Sequence, residues 1–148
     1  MSFLELKVPP VILFIVALLL IWWSASVPPS FLSTLVSLVI WFVAAWLGFS
    51  GVREFRRHQT TVNPHRPEQA ATVVRTGVFA RTRNPMYLAL VLGQVATSIY
   101  YVNFYGVVII AGFVWYMNRY QIRAEERALE KLYGDEYRTY CESVRRWV

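Results

Sequence analysis

The sequence has a single cysteine, Cys141, and two histidines, His58 and His65. One cysteine excludes an intramolecular disulfide and a cysteine metal cluster. The histidines sit seven residues apart in an arginine-rich stretch, with no carboxylate or second histidine at ligand spacing, which argues against zinc. Charge is also scarce, at 16% of residues, and it is absent from Val8 to Val52 and from Met86 to Met117. Repeats and low-complexity tracts are missing as well. The formal net charge of +6 comes with no nucleic-acid-binding motif. That charge is better explained as a topogenic bias with attraction to anionic headgroups.

Hydrophobic residues make up 56% of the chain. A helix needs about 20 apolar residues to cross a hydrocarbon core of about 30 Å. Two runs on either side of Ser26-Val27-Pro28-Pro29-Ser30 meet that length. A secretory signal peptide competes for the first run, but its basic lead is only Lys7, with Glu5 beside it. The run from Met86 to Met117 is too long for one untilted span, and Asn103 and Gly106 break it. The spacing therefore predicts spans at about 9–27, 31–51, 85–101 and 104–120, the last two a helical hairpin. All Lys, Arg, Asp and Glu fall in residues 1–7, 53–83 and 119–146. Four spans put these three segments on one side, and the positive-inside rule makes that side cytoplasmic, with both termini there. The expected fold is all-α and polytopic, a single integral membrane domain over 1–148 with a cytosolic connector (53–84) and a C-terminal helical cap (121–148).

Within the connector, Asn63-Pro64 and Arg66-Pro67 favour extended backbone. Glu68 to Arg75 could form one or two helical turns, and Gly77 breaks them. Long ordered connections are usually functional. Gly48 and Gly51 could allow close helix packing. In the cap, Gly134 suits a helix C-terminus, Asp135 an N-cap, and Tyr137, Tyr140 and Val144 share a face. Trp147 suits an interfacial anchor.

Two polar clusters flank the hairpin. In Arg83-Asn84-Pro85-Met86-Tyr87, Asn84 suits an N-cap and Pro85 a first helical position, and the free amides there can receive an anion. Glu125 and Glu126 lie about one turn beyond the fourth span, where acidic groups need partners or water. Each cluster alone has an ordinary explanation. The first is a capped helix, and the second forms local pairs such as Arg123 with Glu126 and Arg127 with Glu130. A hairpin brings the two to the same membrane face, where one glutamate could hold the ammonium of a cationic ligand.

Taken together, the segments Thr76-Gly77-Val78-Phe79, Arg83-Asn84-Pro85-Met86-Tyr87, Glu125-Glu126 with Leu129, Tyr133-Gly134 with Tyr137 and Tyr140, and Val144-Arg145-Arg146-Trp147 are similar to the isoprenylcysteine carboxyl methyltransferase and phospholipid methyltransferase superfamily of membrane enzymes. The resemblance runs from about Thr60 to Val148. It implies S-adenosylmethionine as methyl donor, S-adenosylhomocysteine as product, and a cytoplasmic cofactor pocket that a lipophilic acceptor reaches from the bilayer. By position it implies that Ala71, Thr72, Val73, Val74 and Phe79 line the pocket. Asn84, Pro85, Met86 and Tyr87 then contact the cofactor, and Glu125 holds its methionine end. Methyl transfer of this kind needs no metal. It needs an in-line approach in a dry, oriented site.

One position departs from the pattern. Carboxyl methyltransferases of the superfamily carry an arginine four residues before the cofactor glutamate, and here that residue is Gln121. Glutamine cannot offer a carboxylate the charged fork of arginine. An amine headgroup, a thiol or another small lipophilic nucleophile is therefore at least as suitable an acceptor as a prenylcysteine carboxylate. Gln121, Arg123 and Tyr87 are the substrate-side candidates. The short chain fits a minimal prokaryotic-type member in the inner membrane, with membrane lipids and a lipophilic substrate as its partners. The alternative is a non-catalytic scaffold or assembly protein that kept the fold. A transporter is disfavoured because no charge lies inside a span.

Overall fold

The computed structural model describes residues 5–58 and 73–148. Among these, regular structure is entirely helical: α1 (Pro10–Trp23), α2 (Phe31–Arg57), α3 (Pro85–Tyr100), α4 (Tyr105–Tyr116), α5 (Arg123–Tyr133) and α6 (Asp135–Ser143). A single 3-10 turn, Gly77–Ala80, precedes α3, and a π-helical segment, Met117–Ile122, joins α4 to α5. Of the connector helix expected at 68–75, residues 73–75 are non-helical and the rest lie outside the described residues.

Local chemistry sets the boundaries. Pro10 opens α1 at a position where a missing N–H costs nothing. Ser24 closes it by donating its hydroxyl to the Leu20 carbonyl at 2.7 Å. The helix therefore stops short of the expected residue 27, with the Ile21 carbonyl taken by Asn103 instead of the next turn. A reciprocal serine cap starts α2: Ser33 N donates to Ser30 Oγ at 3.1 Å, and Ser30 N donates to Ser33 Oγ at 2.9 Å. At the turn between α3 and α4, Val102 takes a left-handed φ of 47°. Asn103 is buried there and donates Nδ2 to the Ile21 carbonyl at 2.8 Å and to Ser24 Oγ at 2.9 Å. This turn thus ties the end of α1 to the α3–α4 hairpin.

The central helix is α3, which packs on α1, α2 and α4, while α1 also packs on α4. The α2–α3 contact is close because Gly51 is buried there. A Cβ at Gly51 would lie 2.9 Å from Met86 Cγ, so a side chain would push the helices apart. Outward-facing apolar side chains are unusually numerous: Phe31, Phe42 and Phe49 of α2 are 86%, 75% and 76% exposed. Water does not tolerate an apolar face of this extent on an isolated protein. Among the described residues α2 is the one helix long and apolar enough to cross a membrane by itself, whereas α1 and α3 are shorter apolar helices.

The C-terminal end folds back beneath the bundle. Gly134 breaks α5 from α6 with φ of 54°. Asp135 is the first residue of α6 rather than its cap, since Gly134 holds the cap position. Tyr137 and Tyr140 of α6, with Val144 just beyond it, form one buried cluster packed with Val73, Leu129 and Tyr133. The Tyr140 hydroxyl donates to the Phe79 carbonyl at 2.7 Å, fastening α6 to the 3-10 turn. That turn is fixed to α2 by the Thr76 hydroxyl, which donates to Glu54 Oε2 at 2.6 Å. Gly77 permits this approach, with φ of 59° and its Cα face against the Glu54 side chain.

Candidate active site

The two polar clusters meet where α3 begins and the π segment passes into α5. Tyr87 donates its hydroxyl to Glu125 Oε1 at 2.5 Å, and Gln121 Nε2 donates to the same oxygen at 2.6 Å. Tyr87 and Gln121 are buried. Glu125 is half-buried, with its carboxyl on these two donors. Burial pushes the Glu125 carboxyl up to about 7; the neighbouring Glu126 charge adds to this, and the bonds from Tyr87 and Gln121 oppose it. Among the described residues no ion pair reaches Glu125. Phe113, Met117 and Ile122 form one core with Tyr87, and Leu13, Phe14, Leu90 and Val91 pack against it. The cluster therefore joins polar groups on the α5 side to an apolar core on the side of the bundle.

Glu126 faces differently from Glu125 and has strong partners. Arg146 grips it with both arms, Nε to Oε1 at 3.0 Å and Nη2 to Oε2 at 2.6 Å. Arg83 Nη1 lies 3.3 Å from Glu126 Oε1 and also meets the Cys141 thiol. The local pairs expected on α5 are thus replaced by distant ones, because Arg83 and Arg146 both converge on Glu126. Arg127 likewise reaches back to Glu5 at 2.8 Å instead of pairing along its helix. Removing one partner of a shielded pair commonly costs about 3–5 kcal/mol, since the other charge is left unpaired.

Several expectations change in detail. Asn84 holds the N-cap position of α3, yet its side chain makes no cap bond there. Its Nδ2 donates to the Arg146 carbonyl at 3.0 Å instead, and this bond orients the amide so that its Oδ1 does not cap the helix. Pro85 is buried and Met86 turns toward Gly51 of α2. Phe79 is buried with its ring edge-on to Phe55, 5.0 Å between centroids. Val74 is buried, and Val73 packs on the α6 cluster. Ala71 and Thr72 lie outside the described residues. Arg123 is exposed on the far side of α5, whereas Gln121 points at Glu125. Trp147 is half-buried against the Tyr87 core and donates Nε1 to Asn118 Oδ1 at 3.1 Å, which makes it a packing residue more than a surface anchor.

The structure thus joins Tyr87, Gln121 and Glu125 directly and brings Asn84 to the same end of the bundle. Phe79 and Val73 brace the C-terminal helices. Sequence reasoning paired Glu126 with Arg123 on its own helix and gave Arg83 and Arg146 no role beyond their place in the motifs. The signal available was the pairing of Glu125 with Glu126 and of Arg145 with Arg146, but adjacency alone does not say which member of each pair turns inward. Among the described residues no grouping of His, Cys, Asp and Glu is arranged to hold a metal ion.

Comparison with known proteins gives this geometry a context. The sequence model of the phospholipid methyltransferase family matches residues 32–136, well over half of the chain. An uncharacterised protein of Haemophilus influenzae is 42% identical over 66 residues, 43% of this chain and the whole of that protein. No solved structure matches.

Proposed function

Since this chain belongs to the phospholipid methyltransferase family, we propose that it transfers a methyl group from S-adenosylmethionine to a small lipophilic acceptor at a membrane–cytosol interface. The observation that carries this reading is the Tyr87–Gln121–Glu125 cluster. Glu125 is a carboxylate held by two neutral donors, while the nearby arginines are taken by Glu126. A shielded carboxylate without a cation is costly, and the ammonium of a methionine-type ligand supplies one. The residues therefore fit the methyl donor. When bound, that donor supplies an electrophilic methyl on sulfonium sulfur. Glu125 holds its ammonium, and Tyr87 and Gln121 keep the carboxylate aimed. The packing of Leu13, Phe14, Leu90 and Val91 on the core around Tyr87 keeps water from that side, and a lipophilic partner approaches from the bilayer.

The same reading extends to the membrane. The exposed apolar face of α2 supports insertion, with α1, α3 and the α4–π rod completing four crossings. At about 1.5 Å per residue α1 and α3 span only about 21 and 24 Å, so the bilayer thins around them or flanking residues extend their reach. This arrangement keeps both termini and the Glu125 cluster on the basic, cytoplasmic side. Gln121, bonded to Glu125, offers an incoming carboxylate no positive charge, which favours an amine or another uncharged nucleophile as the acceptor.

Calorimetric titration of the detergent-purified chain with S-adenosylhomocysteine, beside Glu125→Gln, tests the reading. Saturable binding that weakens in the variant is expected. A folded wild type that binds nothing would return the chain to the role of a scaffold.

A further inference from the structure

The C-terminal residues 144–147 are fastened from both their backbone and their side chains. The Arg145 carbonyl accepts from Arg83 N at 3.0 Å, and the Arg146 carbonyl accepts from Asn84 Nδ2 at 3.0 Å and Thr82 Oγ1 at 3.3 Å. Beyond them Trp147 packs on the core that holds Tyr87. The loop 82–84 and the tail thus form one strap across the start of α3. What locks it is Glu126, which holds the Arg146 guanidinium by two bonds and Arg83 by a third contact. Its side chain is 18% exposed, and those of Arg83 and Arg146 are 14% and 30% exposed, so water screens the lock only weakly.

We propose that Glu126 is a positioning residue for the methyl-donor site: it buckles the C-terminal strap onto the 82–84 loop and thereby fixes Asn84, the first turn of α3 and the Tyr87 hydroxyl that aims Glu125. This rests on the methyltransferase reading above. Glu126 touches no ligand in this role. It acts through Arg146 and Arg83, and adjacent glutamates divide the work, Glu125 facing the ligand and Glu126 the strap. Because Asn84 is drawn to the Arg146 carbonyl, opening the buckle frees its amide to fall back on its own helix and changes the shape of the α3 entrance.

Two readouts test this on the whole 148-residue chain in detergent: S-adenosylhomocysteine affinity by calorimetry, and the rate at which maleimide alkylates Cys141, the single cysteine, half-buried against Arg83. The variants are Glu126→Gln, Arg146→Ala and Arg146→Lys. Arg146→Ala guards against misfolding, since it leaves Glu126 paired with Arg83. Opening the buckle is expected to speed alkylation and weaken binding together, each by about tenfold, the equivalent of one charged hydrogen bond. Arg146→Lys, which keeps the charge but not the two-armed grip, falls between wild type and Arg146→Ala in both readouts. Faster alkylation with wild-type affinity would make the strap merely structural and overturn the proposal. Unchanged alkylation in Arg146→Ala would overturn it too, by showing that the pair does not hold the tail. Wild-type protein that binds no S-adenosylhomocysteine would instead remove the methyltransferase reading, and this role of Glu126 with it.

Discussion

Ligand affinity should rise with pH, and Glu125 sets the slope. Its carboxyl is pushed up to about 7, whereas an exposed glutamate titrates near about 4.3. Between about pH 4.5 and 7 the folded state therefore holds a proton at Glu125 that the unfolded chain has already released, so unliganded stability falls as pH rises through that window, by on the order of 3 kcal/mol. A ligand ammonium reverses the preference, because it binds the ionised carboxylate. With Glu125 titrating at about 7, roughly a tenth of the protein is ionised at pH 6 and roughly nine-tenths at pH 8. The apparent Kd for S-adenosylhomocysteine should then tighten about tenfold from pH 6 to pH 8. Below pH 7 most binding events should expel a proton, visible as a dependence of calorimetric heat on buffer ionisation enthalpy. Glu125→Gln should bind weakly, with a flat profile and no proton release. A flat profile in wild type, or an equal slope in the variant, would refute Glu125 as the ammonium seat.

Three further outcomes follow from the same geometry. Tyr87→Phe removes a hydroxyl bonded to Glu125 at 2.5 Å, and calorimetry should record a loss of about 1.5–3 kcal/mol in S-adenosylhomocysteine binding, as for a hydrogen bond to a charged group. Gln121→Arg sets a guanidinium beside Glu125; it should lower the Glu125 titration, flatten the pH dependence of binding measured between pH 6 and 8, and compete with the ligand ammonium. Asn103→Ala cuts both bonds from the hairpin turn to the end of α1, and thermal unfolding in detergent should show a loss of about 1–3 kcal/mol with ligand affinity little changed, because the turn lies at the end of the bundle away from Glu125.

Much of the helical plan was legible because its causes are local. Pro10, Pro28-Pro29, Asn103 and Gly134 punctuate the chain by backbone chemistry that needs no distant partner, and the observed helices respect all four. The π segment was not legible. An inserted register in a helix follows from how Met117, Gln121 and Ile122 pack inward, and the sequence carries no sign of it. The Tyr87–Glu125 contact could be expected from a hairpin that returns the chain to the same face. The diversion of Asn84 from capping to bonding the tail could not, since a cap through Oδ1 and a tail bond from Nδ2 call for different orientations of one amide, and only the folded tail decides between them.

The sequence by itself determined where apolar runs lie, where charge gathers, and which residue types stand at each end of the α3–α4 hairpin. Those properties belong to short stretches of chain, and hydration acts on them before any fold exists. The tertiary structure decided how the acidic pair divides: Glu125 turns to Tyr87 and Gln121, and Glu126 turns to Arg83 and Arg146. Adjacent residues on a helix point about 100° apart, so the direction in which each finds its partner is set by the packing of α3, α5 and the C-terminal strap around them.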